Sequence, residues 1–183
     1  MRIIAGTWRG RPLDAPPGDI TRPTSDRARE GLFSMLASRL GSFDDLAVAD
    51  LFAGTGALGL EALSRGAAHC TFVEKDRTAL AILRRNIDRL GAGERADLRS
   101  QAVEHMPAPP RPYDLILMDP PYGAGLAQPA LDRAAPWLAP GGWLCLEVHG
   151  EALAAPLGLE SHAERRFGKA TLYLFRSDPA ANA

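Results

Sequence analysis

The chain has 183 residues, of which 46% are hydrophobic, 23% charged and 7% aromatic, which is ordinary globular composition with enough length to bury one core unaided. Its 21 basic and 22 acidic residues leave a net charge of −1, which excludes an overall basic coat for nucleic acid but not local patches. Two cysteines exclude a disulfide framework and a cysteine-rich metal site, no apolar run approaches the ~18 residues of a membrane span, and the N-terminus lacks the apolar stretch of a signal peptide, so a soluble, cytoplasmic protein is expected.

Residues 1–24 read as an extension apart from the domain expected over 25–183. Ile3 and Ile4 suit a short strand, Trp8-Arg9-Gly10-Arg11 suits the turn of a hairpin, and Pro12, Pro16, Pro17 and Gly18 forbid regular structure beyond it. The first 13 residues hold Arg2, Arg9 and Arg11 and no acid. Thr24 or Ser25 offers an N-cap for a helix to about Leu40, with Leu32, Phe33, Leu36 and Leu40 near helical spacing.

From about residue 46 strands and helices alternate. Ala47–Phe52 reads as a buried strand, broken by Gly54-Thr55-Gly56. Ala57–Arg65 reads as a helix closed by Gly66, and Cys70–Glu74 as a second strand. Asp76 caps a helix to Leu90, closed by Gly91. Ala96–Arg99 is a weak third strand and Tyr113–Asp119 a strong fourth, ending at Pro120-Pro121. Gln128–Leu138 reads as a helix, and Gly141-Gly142 leads into a strand over Trp143–Val148. Two closing runs, Gly158–Phe167 and Ala170–Phe175, join at Gly168-Lys169 as an antiparallel pair. This order implies an α/β fold: a mostly parallel, seven-stranded sheet with helices on both faces. Cys70 and Cys145 fall in strand-like apolar runs and read as buried, inert thiols.

Gly54-Thr-Gly-Ala-Leu-Gly59 matches G-x-G-x-x-G, follows a strand, opens a helix, and is followed by Glu74 at the end of the next strand. Alone, this is the dinucleotide fingerprint: close backbone approach to the ligand, and a carboxylate for the ribose. Asp50, four residues before Gly54, argues otherwise. A carboxylate repels a pyrophosphate and attracts a cation, and S-adenosylmethionine carries an ammonium and a sulfonium but no phosphate. The plainer readings are a loop or helix cap for Asp50 and a solvated carboxylate beside Lys75 for Glu74.

The fourth strand ends in Asp119-Pro120-Pro121-Tyr122, beyond the carboxyl end of the strand expected beside the glycine-loop strand, where open α/β sheets bind ligands. An exocyclic amine on a base is a poor nucleophile, because its lone pair is delocalised into the ring. The Asp119 carboxylate and the Pro120 carbonyl offer acceptors that aim such an amine and remove charge as a methyl arrives. Proline fixes φ near −65°, and Tyr122 offers a flat face on which an extruded base stacks, worth ~1–3 kcal/mol. The plainer reading is a rigid loop with a core tyrosine.

Asp50-Leu-Phe-Ala-Gly-Thr-Gly-Ala-Leu-Gly-Leu-Glu-Ala-Leu-Ser-Arg-Gly66 together with Asp119-Pro-Pro-Tyr122 resembles a Rossmann-like class I S-adenosylmethionine-dependent methyltransferase. Arg2-Ile-Ile-Ala-Gly6, Arg9-Gly-Arg11, Arg22-Pro-Thr24, Arg29-Glu30 and Leu32-Phe33 resemble more narrowly the RsmD family, which methylates the N2 amine of one guanine in bacterial 16S ribosomal RNA. The resemblance spans Arg2 to about Tyr173. It implies that Asp50, Phe52, Gly54, Thr55 and Gly56 hold the methionine end of S-adenosylmethionine, that Glu74, with Lys75 beside it, binds the ribose, and that Ser100-Gln101-Ala102 lies against the adenine. Asp119 would border both cofactor and substrate, and Asp119, Pro120, Pro121 and Tyr122 would hold the guanine. Arg2, Arg9, Arg11, Arg22 and Arg27 would touch RNA phosphates or shape the entrance; solvated surface charge is the plainer reading. The implied substrate is 16S ribosomal RNA, within an assembled or assembling small subunit, and the implied enzyme is a monomer.

Two alternatives stay open: an N6-adenine methyltransferase on RNA or DNA, since Asp-Pro-Pro-Tyr is shared with such enzymes, and a non-methylating dinucleotide-binding protein. No metal site is expected, because His69, His105, His149 and His162 lack ligand-type neighbours at metal spacing. His149 reads as a satisfied surface histidine, Ser64 lies inside a helix without a nucleophile elbow, and Asp44-Asp45 read as cap and solvated surface.

Overall fold

The computed structural model describes residues 1–16 and 23–180; Pro17, Gly18 and Arg22 lie outside the described residues. The elements are α1 (Pro23–Leu40), β1 (Ala47–Leu51), α2 (Ala57–Ser64), β2 (His69–Glu74), α3 (Arg77–Leu90), β3 (Ala96–Ser100), β4 (Tyr113–Met118), α4 (Ala127–Ala134), β5 (Leu138–His149), β6 (Leu159–Phe167) and β7 (Ala170–Ser177). They form one seven-stranded sheet in the order β3-β2-β1-β4-β5-β7-β6. Strands β1 to β5 pair in parallel, and β7 and β6 close the sheet antiparallel, as the alternation of elements requires.

Side chains of successive strand residues go to opposite faces, and the core divides accordingly. Val48, Leu115 and Leu117 pack with α1, α2 and α3 through Phe33, Leu60, Leu63 and Leu83. Ala49, Leu51, Ile116 and Met118 pack with α4 through Ala130, Leu131 and Ala134. Cys70 and Cys145 are buried, and their surroundings push both thiols further toward the protonated, unreactive form. Gly59 allows α2 to lie close on β2, since a Cβ there would meet Phe72 at 2.4 Å and Cys70 Sγ at 2.7 Å.

Boundaries that differ from expectation include four with a plain local cause. Helix α1 begins at Pro23, so Thr24 and Ser25 lie within it rather than before it; proline suits the first helical position, where no amide donor is needed. Strand β1 stops at Leu51, because Phe52 turns into the left-handed region with φ 64°. Helix α4 stops at Ala134 and tightens into a short 3-10 turn, Ala135–Trp137, because Pro136 donates no amide hydrogen bond and crowds the preceding turn. Strand β5 starts at Leu138 and carries Gly141-Gly142 inside it, across a register shift against β4; glycine within a strand marks such bulges.

The first 16 residues are fastened to α2 and α3. Their hairpin is narrow, with one bridge between Arg2 and Pro12 and with Ile3 N–H donating to the Arg11 carbonyl at 3.0 Å. The fully buried Glu61 carboxylate accepts from the Ile4 and Ala5 amides at 2.8 and 3.0 Å. Ser64 Oγ accepts from Trp8 N–H at 3.0 Å and donates to the Ala5 carbonyl at 2.6 Å. Ile3, Trp8 and Leu13 enter the core. Gly6 has φ 83°, and a Cβ there would lie 1.8 Å from the Ser64 carbonyl oxygen, whereas Gly10, with φ 80°, has nothing near it. Gly6→Ala is expected to destabilise the protein by about 3 kcal/mol and Gly10→Ala by only about 1 kcal/mol. Urea unfolding midpoints of the two variants check the difference.

Candidate active site

A cleft of about 590 Å³ opens at the carboxyl ends of β1, β2, β3, β4 and β5. The first wall is the glycine loop. Phe52, with its left-handed backbone, leaves β1, and Ala53 N–H donates to the Val73 carbonyl at 3.0 Å. An aromatic residue held at positive φ is a strained conformation of the kind found at ligand sites. Phe52, Gly54 and Thr55 line the cleft. Gly56, expected to contact cofactor, is not among the lining residues. It sits behind the loop at the start of α2, where a Cβ would lie 2.3 Å from Leu83 Cδ1, so its role is packing.

Two carboxylates hold this loop. Asp50, 1% exposed, lines the cleft and accepts from Gly59 N–H in the first turn of α2 at 2.8 Å. That is the capping reading, realised from a neighbouring strand, and it coexists with a place in the cleft wall. Glu74 accepts from Gly54 N–H at 2.8 Å through one oxygen, and from the Lys75 and Asp76 amides at 2.8 and 2.7 Å through the other. It is therefore an organiser of two loops rather than a solvated partner of Lys75. A carboxylate has about four acceptor sites, so one remains for a ligand hydroxyl. Lys75, Gln101 and Ala102 line the far wall, while Ser100 ends β3 outside the lining. Glu104, which sequence reasoning missed, brings a carboxylate to that wall.

The opposite wall is the end of β4. Asp119, Pro121 and Tyr122 line the cleft; Pro120 is buried and outside the lining. Solvent reaches Asp119 through the cleft mouth, yet desolvation by the enclosing protein, with the charge of Glu147 added, pushes its carboxyl up to about 7. Tyr122 is 53% exposed. Its ring stacks on His149 at 3.6 Å between centroids and 15° between planes, and its hydroxyl lies 3.4 Å from Glu147 Oε1. His149 Nε2 lies 3.7 Å from the same oxygen, so this histidine is partnered on two sides.

The arginines divide. Arg2, Arg9, Arg11 and Arg27 are exposed. Trp8, beside Arg9, is bound to Ser64 at the end of α2, and Arg11 donates to the Arg89 carbonyl at the end of α3, at 3.1 Å. Both helices begin at the cleft and run away from it, α2 rising about 12 Å over its length. Arg9 and Arg11 therefore do not shape the entrance. Arg29 does. It is buried, lines the cleft and donates to the Arg2 carbonyl at 2.6 Å; in the sequence it stood out only as part of a longer motif. Asn86 was missed as well. Buried in α3, it donates to the Thr55 carbonyl at 3.0 Å and accepts from Asp14 N–H at 2.8 Å, joining the glycine loop to the N-terminal segment. Its signal was a polar residue on an apolar helix face.

Burial pushes the Asp50 carboxyl well up, and the charges of Asp119 and Glu74 add to it. Three carboxylates around one cleft fit a cation and disfavour a pyrophosphate. The residues present therefore fit the ammonium and sulfonium of S-adenosylmethionine.

The family model described as conserved hypothetical protein 95 matches residues 1–176. The chain is 36% identical over 186 residues to Ribosomal RNA small subunit methyltransferase D of Escherichia coli K12, covering 97% of this chain and 90% of that protein. It is 37% identical over 154 residues to the protein of the same name in Haemophilus influenzae, covering 81% and 78%. The solved structure of the Escherichia coli protein yhhF superposes with a TM-score of 0.85 at 36% identity, over 98% of each chain. The chain thus belongs to the conserved hypothetical protein 95 family, the RsmD family, and is a class I methyltransferase that draws its methyl group from S-adenosylmethionine.

Proposed function

We propose that this protein methylates the exocyclic N2 amine of a specific guanine in bacterial 16S ribosomal RNA, acting as a cytoplasmic monomer on an assembled or assembling small subunit. The observation that carries the reading is the placement of Asp119 and Tyr122 on the wall facing the glycine loop in a single cleft. The names of the relatives supply the RNA class.

Asp50 and the loop from Phe52 to Thr55 hold the methionine end of the cofactor, Glu74 takes a ribose hydroxyl, with Lys75 beside it, and Gln101 and Ala102 border the adenine. S-adenosylmethionine, when bound, supplies an electrophilic methyl whose bonding electron pair stays on sulfur as the N–C bond forms. The Asp119 carboxylate and the Pro120 carbonyl accept from the two N2 hydrogens and aim the nitrogen lone pair at the methyl. As positive charge develops on N2, Asp119 stabilises it and takes the released proton. Positioning carries most of the rate, as expected of an in-line displacement. Tyr122 supplies the flat face for the extruded base, and Pro121 closes the turn beneath it. Arg2, Arg9, Arg11, Arg22 and Arg27 contact RNA phosphates, Arg9 and Arg11 at a distance from the cleft.

Methyl transfer from labelled S-adenosylmethionine to unmodified small subunits, free 16S RNA and duplex DNA, with nucleoside analysis of the product, tests the reading. N2-methylguanosine from the subunits is expected; N6-methyladenosine would discard the base assignment, and transfer to DNA alone the RNA.

Asp119→Ala should cut turnover at least ~1,000-fold with cofactor affinity within about threefold of wild type, the scale of lost electrostatic stabilisation at the reacting centre. For the wild type, kcat/KM for the cofactor should rise with pH through about 7, since Asp119 must lose its proton to act as acceptor and its carboxyl is raised to about 7. The plateau lies above that pH, and the inflection should vanish in Asp119→Asn.

Glu74→Ala should weaken cofactor binding by about 1.5–3 kcal/mol, read by calorimetry. Replacing Arg9 and Arg11 together by Ala should reduce the slope of log affinity for RNA against log salt by about 1–2, leaving turnover at saturating RNA intact.

A further inference from the structure

We propose that Glu147 reads the N1–H of the target guanine and is the residue that makes the cleft select guanine over purines lacking that hydrogen. This rests on the guanine reading above and extends it to a side chain outside the Asp119–Tyr122 motif.

Glu147 belongs to β5, the strand next to β4, and lies among the last residues before the sheet ends. It lines the same cleft as Asp119, Pro121 and Tyr122, close enough that its charge acts on the Asp119 carboxyl. Two carboxylates lining one half-enclosed pocket repel. Such an arrangement suits a ligand that presents adjacent donors. Guanine does so along its Watson–Crick edge, with two hydrogens on N2 and one on the neighbouring N1. Asp119 and the Pro120 carbonyl account for the amine, and N1–H then falls to the second carboxylate. Adenine and cytosine present a lone pair beside their amine, which an ionised carboxylate repels.

Two groups bear on the charge state that this selection needs. The Tyr122 hydroxyl lies 3.4 Å from Glu147 Oε1, and His149 Nε2 lies 3.7 Å from the same atom. Burial is the larger influence and raises the Glu147 carboxyl; both groups act against it, in favour of the ionised form. A neutral acid would lose the discrimination, because its hydroxyl could donate to an adenine ring nitrogen. The stack of Tyr122 on His149 thus aligns the stacking surface and the reading carboxylate in one unit.

The test uses small subunits reconstituted on 16S RNA with 2-aminopurine in place of the methylated guanine. This base keeps the N2 amine but has a lone pair at N1. Wild-type enzyme should prefer guanine by at least ~100-fold in kcat/KM. Glu147→Gln, whose amide can donate to N1, should shrink that ratio at least ~10-fold, and Glu147→Ala should shrink it as well, with cofactor affinity unchanged in both. The assignment is overturned if both variants keep the wild-type ratio. It is also overturned if the wild-type enzyme methylates the two bases within about threefold of each other, a result that needs no variant to fold. Failure of the parent reading is separately visible: wild type would then give no N2-methylguanosine on natural subunits, and the role of Glu147 would fall with it.

Discussion

The cleft depends on two carboxylates gripping the glycine loop from opposite sides. Asp50 reaches from the end of β1 to the amide of Gly59, and Glu74 from the end of β2 to the amide of Gly54. Both bonds are at least partly buried, at 2.8 Å. Together they set where the loop leaves the sheet and where α2 begins. Phe52 tolerates its left-handed backbone because the residues on either side are fixed. Glycine is needed where the chain meets its neighbours, at Gly59 against Phe72 and Cys70.

A second set of bonds ties the N-terminal segment to the same loop. Asn86 contacts the Thr55 carbonyl on one side and both the amide and the carbonyl of Asp14 on the other. Glu61 holds Ile4 and Ala5 while pairing with Arg65 at 2.8 Å. Arg29, donating to the Arg2 carbonyl, lines the cleft together with Met1 and Pro16. A segment rich in arginine and proline is thereby made part of the cofactor cleft's wall. Displacing it would expose Ile3, Trp8 and Leu13 and leave the Glu61 carboxylate buried without its amide partners. Arg65 would still pair with Glu61, but the carboxylate would lose two of its hydrogen bonds.

The sheet was legible because its strands are short apolar runs punctuated by glycine and proline, and because alternating helices force parallel pairing. The glycine loop, Asp50, Glu74 and Asp119 were legible because their chemistry is local: each sits at a strand end, and strand ends face ligands in this fold. What was not legible is contact between distant segments. Glu61 and Ser64 stood inside a recognisable motif, but nothing in their spacing tells that they receive residues 4–8. Glu147 and His149 looked like ordinary strand-end residues until the pairing of β4 with β5 set them beside Tyr122. Gly56 and Pro120 belong to the same motifs but are not among the residues that line the cleft, a distinction between motif positions that spacing does not make.

The electrostatics of the cleft connect its two walls. Burial holds Asp50 toward its neutral form, with the charges of Asp119 and Glu74 adding to it, and burial together with the charge of Glu147 raises Asp119 to about 7. A cation between the walls favours the ionised form of each carboxylate near it. The carboxylates that are costly to ionise in the free protein are thus the same feature that suits the cleft to a cationic ligand and not to a pyrophosphate.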